Sequence, residues 1–382
     1  MNEYDEQPIA ETPESNNISE ISKTGYQFLK ENKTSEAIDC FTRILLIDDQ
    51  NNYALVGMGD ASRKMGSTRE AVKYYKRCLI HHPGNNYALF GLADCYKAMN
   101  QYQKAIEIWE QYLVHDDKNI TVLTRIADAY RKVRNFNNSK NTYKDVLIMD
   151  NTNPYAIIGL GHLHYDFKEY KEALFYWEKM LESPEGELSP LQCKAEVCGD
   201  KVDIRVLTSI GNCHRKLKTF KEGIPYFNLA LKRDKNNFYA LFGLADCYRG
   251  LNQFENSLKF WDLILLQDPR NKMILTRAGD ACRNLNNYEK AKDFYERALD
   301  IEFDTYAVMG LSLISKAQEK YEDALVSLKR LIQQDNKNFR LYIELSDCYL
   351  KMKDKRMAAQ VLEDFQRLGI KNEKIAEMLE AI

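Results

Sequence analysis

Small residues return every 34 positions along this chain. The series runs Gly25, Gly59, Ala93, Ala127, Gly161, and after one interruption resumes as Gly211, Ala245, Gly279, Ser312, Ser346. A second small series follows 12 residues behind the first: Ala37, Ala71, Ala105, Ser139, Ala173, Gly223, Ser257, Ala291, Ala324, Ala358. Four residues later comes a large one: Phe41, Tyr75, Trp109, Tyr143, Trp177, Phe227, Trp261, Tyr295, Leu328, Leu362. All 3 tryptophans occupy that slot. A fixed period of this length belongs to stacked supersecondary units and excludes most other folds.

Within each unit, apolar residues at i, i+3, i+4 and i+7, such as Leu89, Leu92, Ala93 and Tyr96, mark the buried stripe of a first helix. Ala105, Ile106 and Trp109 mark a second. Turn residues separate the helices (Asn100-Gln101) and the units (Pro83-Gly84-Asn85, Asp268-Pro269-Arg270). One helix pair cannot bury its own apolar face, so the units must stack into a solenoid. Small residues let the helices approach, and the large side chain fills the space where the next unit arrives. Pro225 falls early in a second helix and is expected to shorten or bend it. The unit beginning near Lys272 reads one residue short.

The segment Ala88-Leu89-Phe90-Gly91-Leu92-Ala93-Asp94-Cys95-Tyr96, with the alanine, aromatic and alanine that follow at fixed offsets, resembles the tetratricopeptide-repeat family. The resemblance covers roughly Ile18 to Asn372 and extends to the period itself. It implies an all-α fold: a right-handed α-solenoid of about ten helix-turn-helix units with a C-terminal capping helix. The expected division is a disordered leader over 1–17, units 1–5 over 18–187, an insert over 188–203, units 6–10 over 204–372, and the cap over 373–382, where Ile375, Met378 and Leu379 form its apolar face.

A longer repeat overlies the short one. Residues 87–96 read YALFGLADCY, and 239–248 read the same. Leu123-Thr124-Arg125 likewise matches Leu275-Thr276-Arg277. Four units are therefore read as duplicated, about 52–187 and about 204–338, on either side of the insert.

The 54 basic and 56 acidic side chains nearly cancel, whereas a nucleic-acid binder carries a basic excess. The first residues are acidic and polar, unlike a secretory signal, and no window has the ~18 apolar residues of a spanning helix. These features point to a cytoplasmic protein with no membrane span. No phosphate loop, zinc-protease motif or nucleophile elbow occurs, so no catalytic residue is assigned. Gly57-Met58-Gly59 and Gly159-Leu160-Gly161 lack the third glycine of a dinucleotide loop and read as packing residues. Cys193 and Cys198, with His81 and His82 as distant company, make a C-x4-C pair without a second pair. They read as free thiols, and neither a metal nor a cofactor is expected. Cys95, Cys213, Cys247 and Cys348 share one first-helix slot and read as small packing residues.

In tetratricopeptide-repeat proteins the first helices line a concave groove that holds peptides or partner helices. Carried onto this chain, the resemblance implies a groove wall of Tyr53, Asp60, Tyr87, Phe90, Asp94, Arg125, Asp128, Arg131, Asn212, Tyr239, Phe242, Asp246, Arg277, Asp280 and Arg283. His162 could face it as well. Gly57, Gly91, Gly159, Gly243 and Gly310 are expected to leave the groove floor open, with Arg125 and Arg277 interrupting that series. Each Asp can pair with the basic residue three positions on, worth about 0.2–0.5 kcal/mol. Exposed Tyr, Phe and Arg in regular array point instead to binding hot spots. Family members that clamp a chaperone's terminal carboxylate use Asn where this chain has Asp, except at Asn212. An aspartate ladder would repel acid, so the expected ligand is a peptide segment with basic and apolar side chains. The reading is a non-catalytic scaffold for other proteins with two stations, around Tyr87, Phe90, Asp94 and Arg125 and around Tyr239, Phe242, Asp246 and Arg277. The alternative is a regulatory subunit acting in trans on an enzyme or signalling protein.

Overall fold

The computed structural model describes residues 13–179 and 203–382. Among them are 21 helices and no strand. The chain divides into two compact units, Met1–Met180 and Leu181–Ile382. In the first unit the helices pair as α1 (Pro13–Lys30) with α2 (Thr34–Ile47), α3 (Asn52–Lys64) with α4 (Thr68–His81), α5 (Asn86–Ala98) with α6 (Tyr102–Leu113), α7 (Ile120–Lys132) with α8 (Phe136–Met149), and α9 (Pro154–Asp166) with α10 (Tyr170–Lys179). In the second, α11 (Ile204–Lys216) pairs with α12 (Phe220–Arg233), α13 (Phe238–Gly250) with α14 (Phe254–Gln267), α15 (Lys272–Asn284) with α16 (Tyr288–Ile301), α17 (Thr305–Ala317) with α18 (Tyr321–Gln334), and α19 (Phe339–Lys351) with α20 (Lys355–Gln366), before α21 (Glu373–Glu380). Helix α1 begins inside the segment read as leader. The rest of that leader, and 188–202 of the insert with Cys193 and Cys198, lie outside the described residues.

Each first helix after α1 is launched by a polar cap. Asn51, Asn85, Asn119, Asn153, Asn237 and Asn271 accept a hydrogen bond from the backbone N–H three residues on, and Asp203, Asp304 and Asn338 cap α11, α17 and α19. Most of these asparagines also donate through Nδ2 to an aspartate three residues earlier: Asn51 to Asp48, Asn119 to Asp116, Asn153 to Asp150, Asn237 to Asp234, Asn271 to Asp268. One side chain thus fixes both the loop and the helix start. Inside each hairpin the chain reverses through a single left-handed residue, and only Gly66 (φ 76°) among these turn residues is glycine; Asn100, Lys168 and Glu319 are three of the others.

Stacking depends on the large slot. Phe41 of α2 is wedged between Gly25 of α1 and Gly57 of α3, and Tyr75 of α4 between Gly59 and Gly91. In the second unit Phe227 sits between Gly211 and Gly243, and Tyr295 between Gly279 and Gly310. A Cβ added at any of these glycines would lie closer than 3.0 Å to the ring. The glycines at 57, 91, 159, 243 and 310 therefore do not leave the groove floor open, as the sequence suggested. The preceding unit's ring fills the space. Trp109, Trp177 and Trp261 are fully buried in the same slot. Where the second helix has serine in its small slot, the hydroxyl bonds across the helix pair: Ser139 to the Ala127 carbonyl and Ser257 to that of Ala245, both at 2.8 Å.

Pro225 does not shorten α12, which runs for 14 residues like α4. Tyr226 and Phe227 beside it are buried, and that burial holds the segment helical despite the lost N–H. The missing residue of the Lys272 unit comes out of a loop: three residues, 302–304, separate α16 from α17, against four between α14 and α15. At the end of the second unit, Ile375 of α21 is fully buried and Met378 and Leu379 pack beside it. No helix among the described residues is long and apolar enough to cross a membrane.

First helices touch the first helices of the next repeat, as in α1 with α3, α3 with α5 and α7 with α9 in one unit, and α11 with α13, α15 with α17 and α17 with α19 in the other. They form the inner wall of each unit. Gly243→Ala should test the ring clamp. Alanine favours a helix by about 1 kcal/mol over glycine. Overpacking against the buried Phe227 ring costs about 1–3 kcal/mol, and we expect it to prevail. Chemical denaturation should show a lower midpoint; an unchanged or higher one would mean that the ring yields.

Candidate functional site

Position two of the first helices carries a tyrosine on several repeats. Tyr53, Tyr87 and Tyr155 are 63%, 80% and 73% exposed, and Tyr239 in the second unit is 67% exposed. Tyr306, missed because the one-residue deletion shifts its register, occupies the same slot at 60%. Three residues in from Tyr87 and Tyr239, Phe90 and Phe242 are half-buried and rest on the core. Arg125 of α7 lies over Phe90, its guanidinium carbon 4.8 Å from the ring centre. Arg277 of α15 lies over Phe242 at 5.1 Å. The structure thus brings Phe90 together with Arg125, and Phe242 with Arg277, from adjacent first helices in similar geometry. Arginine stands at 125 and 277, where five other repeats have glycine, following the tryptophan repeats at 109 and 261.

The aspartates are occupied. Asp60 pairs with Arg63 of its own helix at 3.2 Å and accepts the Tyr75 hydroxyl at 2.7 Å. Asp94 pairs instead with Arg63 of the preceding repeat (3.2 Å) and Arg125 of the next (2.5 Å). Asp128 takes Arg131 at 2.7 Å, and Arg131 also reaches Asp166. In the second unit Asp280 receives Tyr295 at 2.8 Å and Arg283 at 3.4 Å. Asp246 is buried and binds three arginines: Arg215 at 2.7 Å, Arg249 at 2.7 Å and Arg277 at 3.0 Å. Pairing along one helix is therefore only half of the pattern, because the same carboxylates latch successive first helices together. The acidic ladder expected to select a basic ligand is thus paired within the wall. Paired carboxylates repel acid less than free ones, and Asp246 is buried.

Burial alone would raise the Asp246 carboxyl, but hydrogen bonds from Arg215 and Arg249 and the charges of Arg249 and Arg277 outweigh it and hold it below the ordinary value of 3.8. Arg277 is pushed down by burial and by the like charges of Arg249 and Arg215, against the pull of Asp246. Burial, then the Asp60 charge, drives the Tyr75 hydroxyl far above its usual range. His162 packs edge-on to Trp177 at 5.2 Å and is pushed down by burial and by Arg131.

Two hollows lie on the inner wall of the first unit. One, of about 880 Å³, is lined by Lys23, Tyr26, Lys30, Tyr53, Asp60 and Tyr87 among others. The second, of about 590 Å³, involves Lys97, Arg125, Asp128, Tyr155 and His162. Lys23, Tyr26 and Lys30 escaped the sequence reading, which used the first repeat only for its small and large slots. Arg215 escaped too, although it stands three residues after Asn212 in the basic series. Cys95, Cys213, Cys247 and Cys348 are all fully buried; burial raises the Cys247 thiol to about 12.

Two tetratricopeptide-repeat models match the chain, one at residues 62–124 and 316–367, the other at 204–237 and 274–305. With the same period and helix pairing continuing through the described residues between, the chain is a tetratricopeptide-repeat protein, a class of protein-interaction scaffold. No curated protein matches it. Solved structures that resemble it include PilW, a widely conserved type IV pilus biogenesis factor (12% identity, TM-score 0.49, covering 58% of this chain and 96% of that one). YrrB, a TPR protein with an unusual peptide-binding site, matches at 20% identity and a TM-score of 0.43, over 52% of this chain and 95% of that one. Yeast Tom70 matches at 13% and 0.39, over 96% of each.

Asp246→Asn should reveal the latch. The carboxyl's folded pKa lies below its unfolded one, so its contribution is complete above about 3.8 and is lost as pH falls through the lower folded value. The variant should be less stable than the parent at neutral pH, and the gap should narrow on acidification. Urea midpoints recorded from neutral pH downward will show this, and a gap that stays constant would count against it.

Proposed function

We propose that this protein is a non-catalytic scaffold that grips extended or helical segments of partner proteins along the inner walls of its two units. The observation that carries the reading is the tyrosine row. Tyr53, Tyr87, Tyr155 and Tyr239 expose most of their surface, whereas the residues on which stacking depends are buried. A tyrosine brings a large apolar face, a hydroxyl and little rotamer entropy, which suits it to recognition. Beside Tyr87 and Tyr239, the arginine-capped phenylalanines add a flat, partly desolvated platform. Aromatic and arginine side chains in this arrangement are the usual centres of binding energy. The hollows of about 880 and 590 Å³ have room for peptide side chains between the tyrosines.

Replacing exposed residues separates binding from folding. Tyr87→Ala and Tyr239→Ala should each shift stability by less than about 0.5 kcal/mol, as surface changes do. Binding to a partner captured from native lysate should weaken by about tenfold or more in the double variant, or 1.4 kcal/mol. Calorimetric titration and thermal melts supply the two numbers. Equal affinity of the double variant and the parent would rule out the inner wall.

A further inference from the structure

The two matched stations do not carry the same charge. In the first unit Arg63, Lys97, Arg125 and Arg131 are balanced by Asp60, Asp94, Asp128 and Asp166. The corresponding residues of the second unit, 152 positions on, are Arg215, Arg249, Arg277 and Arg283, all arginine. The carboxylates there have dwindled to Asp246 and Asp280. Asn212 stands where Asp60 would be, and Ala317 where Asp166 would be. Asn212 keeps the contact, accepting from Arg215 Nε at 3.2 Å, but brings no charge.

Three guanidinium groups converge on the one buried carboxylate. Asp246 Oδ2 accepts from Arg215 Nη1, and Oδ1 from Arg249 Nε and Nη2 and from Arg277 Nη1, all between 2.7 and 3.0 Å. Arg215 Nη2, Arg249 Nη1 and the Nε and Nη2 of Arg277 have no acceptor among the described residues. The side chains of Arg215, Arg249 and Arg277 are 19%, 44% and 31% exposed, so they are reachable yet partly desolvated. Phe242 lies under two of them, 5.7 Å from Arg215 and 5.1 Å from Arg277, and Tyr239 stands exposed one turn away.

We propose that the inner wall of the second unit is an anion-selective station, in which Arg215, Arg249 and Arg277 take two carboxylates of an acidic peptide segment while Phe242 and Tyr239 hold an apolar side chain between them. The inference rests on the inner wall being a peptide-binding surface. Two positive charges in excess call for two negative ones, and the arginines belong to three successive first helices, α11, α13 and α15. Arg215 and Arg277 reach Asp246 from the helices before and after it, so their unused N–H groups can each serve a separate carboxylate along a chain. Guanidinium edges bind carboxylates through paired, charge-assisted hydrogen bonds, which gain strength where water is partly excluded. A nucleic acid would need a basic track, whereas the matched wall of the first unit is neutral and the chain as a whole has a net charge of −2.

Fluorescence anisotropy on the full chain tests this with labelled eight-residue peptides sharing one aromatic and aliphatic frame. They differ only in carrying two glutamates, two lysines, two phosphoserines or two glutamines, and a short oligoribonucleotide serves as a further probe. At about 0.1 M salt the glutamate peptide should bind about tenfold or more tighter than the lysine peptide, and the difference should shrink as salt rises. Asn212→Asp, which restores the residue of the other station, should weaken the glutamate peptide several-fold and leave the glutamine peptide unchanged. Arg277→Gln should do the same, with thermal melts confirming that both variants fold. Equal binding of glutamate and lysine peptides, indifference to Asn212→Asp, or binding confined to phosphoserine or to the oligoribonucleotide would overturn the anion station. If peptides bind whatever their charge, the inner-wall reading stands without it. If none binds, both fall.

Discussion

The fold depends above all on one contact: the large side chain of a second helix packed on a small residue of its own repeat and, in several repeats, pressed against another of the next. Phe41, Tyr75, Phe227 and Tyr295 each sit between two glycines. The contact does two jobs. Its near side closes the helix pair, and its far side fixes the distance to the following repeat. A glycine that looks like a weak point in a helix is therefore the socket of a packing joint. Where the ring grows to tryptophan, at 109 and 261, the far-side glycine is replaced by arginine, and these are the repeats where the wall acquires its arginine-capped phenylalanines.

The hydroxyls of the ring slot tie this packing to the surface. Tyr75 and Tyr295 pass between helices and end on Asp60 and Asp280. Those aspartates hold Arg63 and Arg283 of their own repeats, and Arg63 goes on to Asp94 of the next. Core, wall and charge lattice are thus one connected set of contacts. Substitutions on the wall divide accordingly into those that touch the lattice, such as Asp94 and Asp246, and those that do not, such as Tyr87 and Tyr239.

Much of the fold was legible because its period is local: small and large residues at constant offsets give the helix pairs directly, and the tyrosine row follows from the same count. What escaped was whatever joins one repeat to the next. The far-side glycines could be counted, but their partner is a ring 16 residues upstream (Gly91 and Tyr75, Gly243 and Phe227), outside the hairpin to which each belongs. Asp94 finds Arg63 and Arg125 each 31 residues away, whereas reading along one helix offered only Lys97, three positions on. The asparagine caps recur as regularly as the glycines, yet Asn51, Asn119 and Asn153 sit in loops where polar residues invite no comment. Pro225 misled as to helix length because a rule for isolated helices was applied to one held by its buried neighbours.

The latches that cross from one first helix to the next also bear on mechanics. A stack of hairpins behaves as a spring, its curvature set by how far adjacent inner helices can separate. Asp94 clips α3, α5 and α7 through Arg63 and Arg125, and Asp246 clips α11, α13 and α15 through Arg215, Arg249 and Arg277. Across those stretches the coil is set before a guest arrives, so docking there forfeits less conformational freedom than it would on a slack segment.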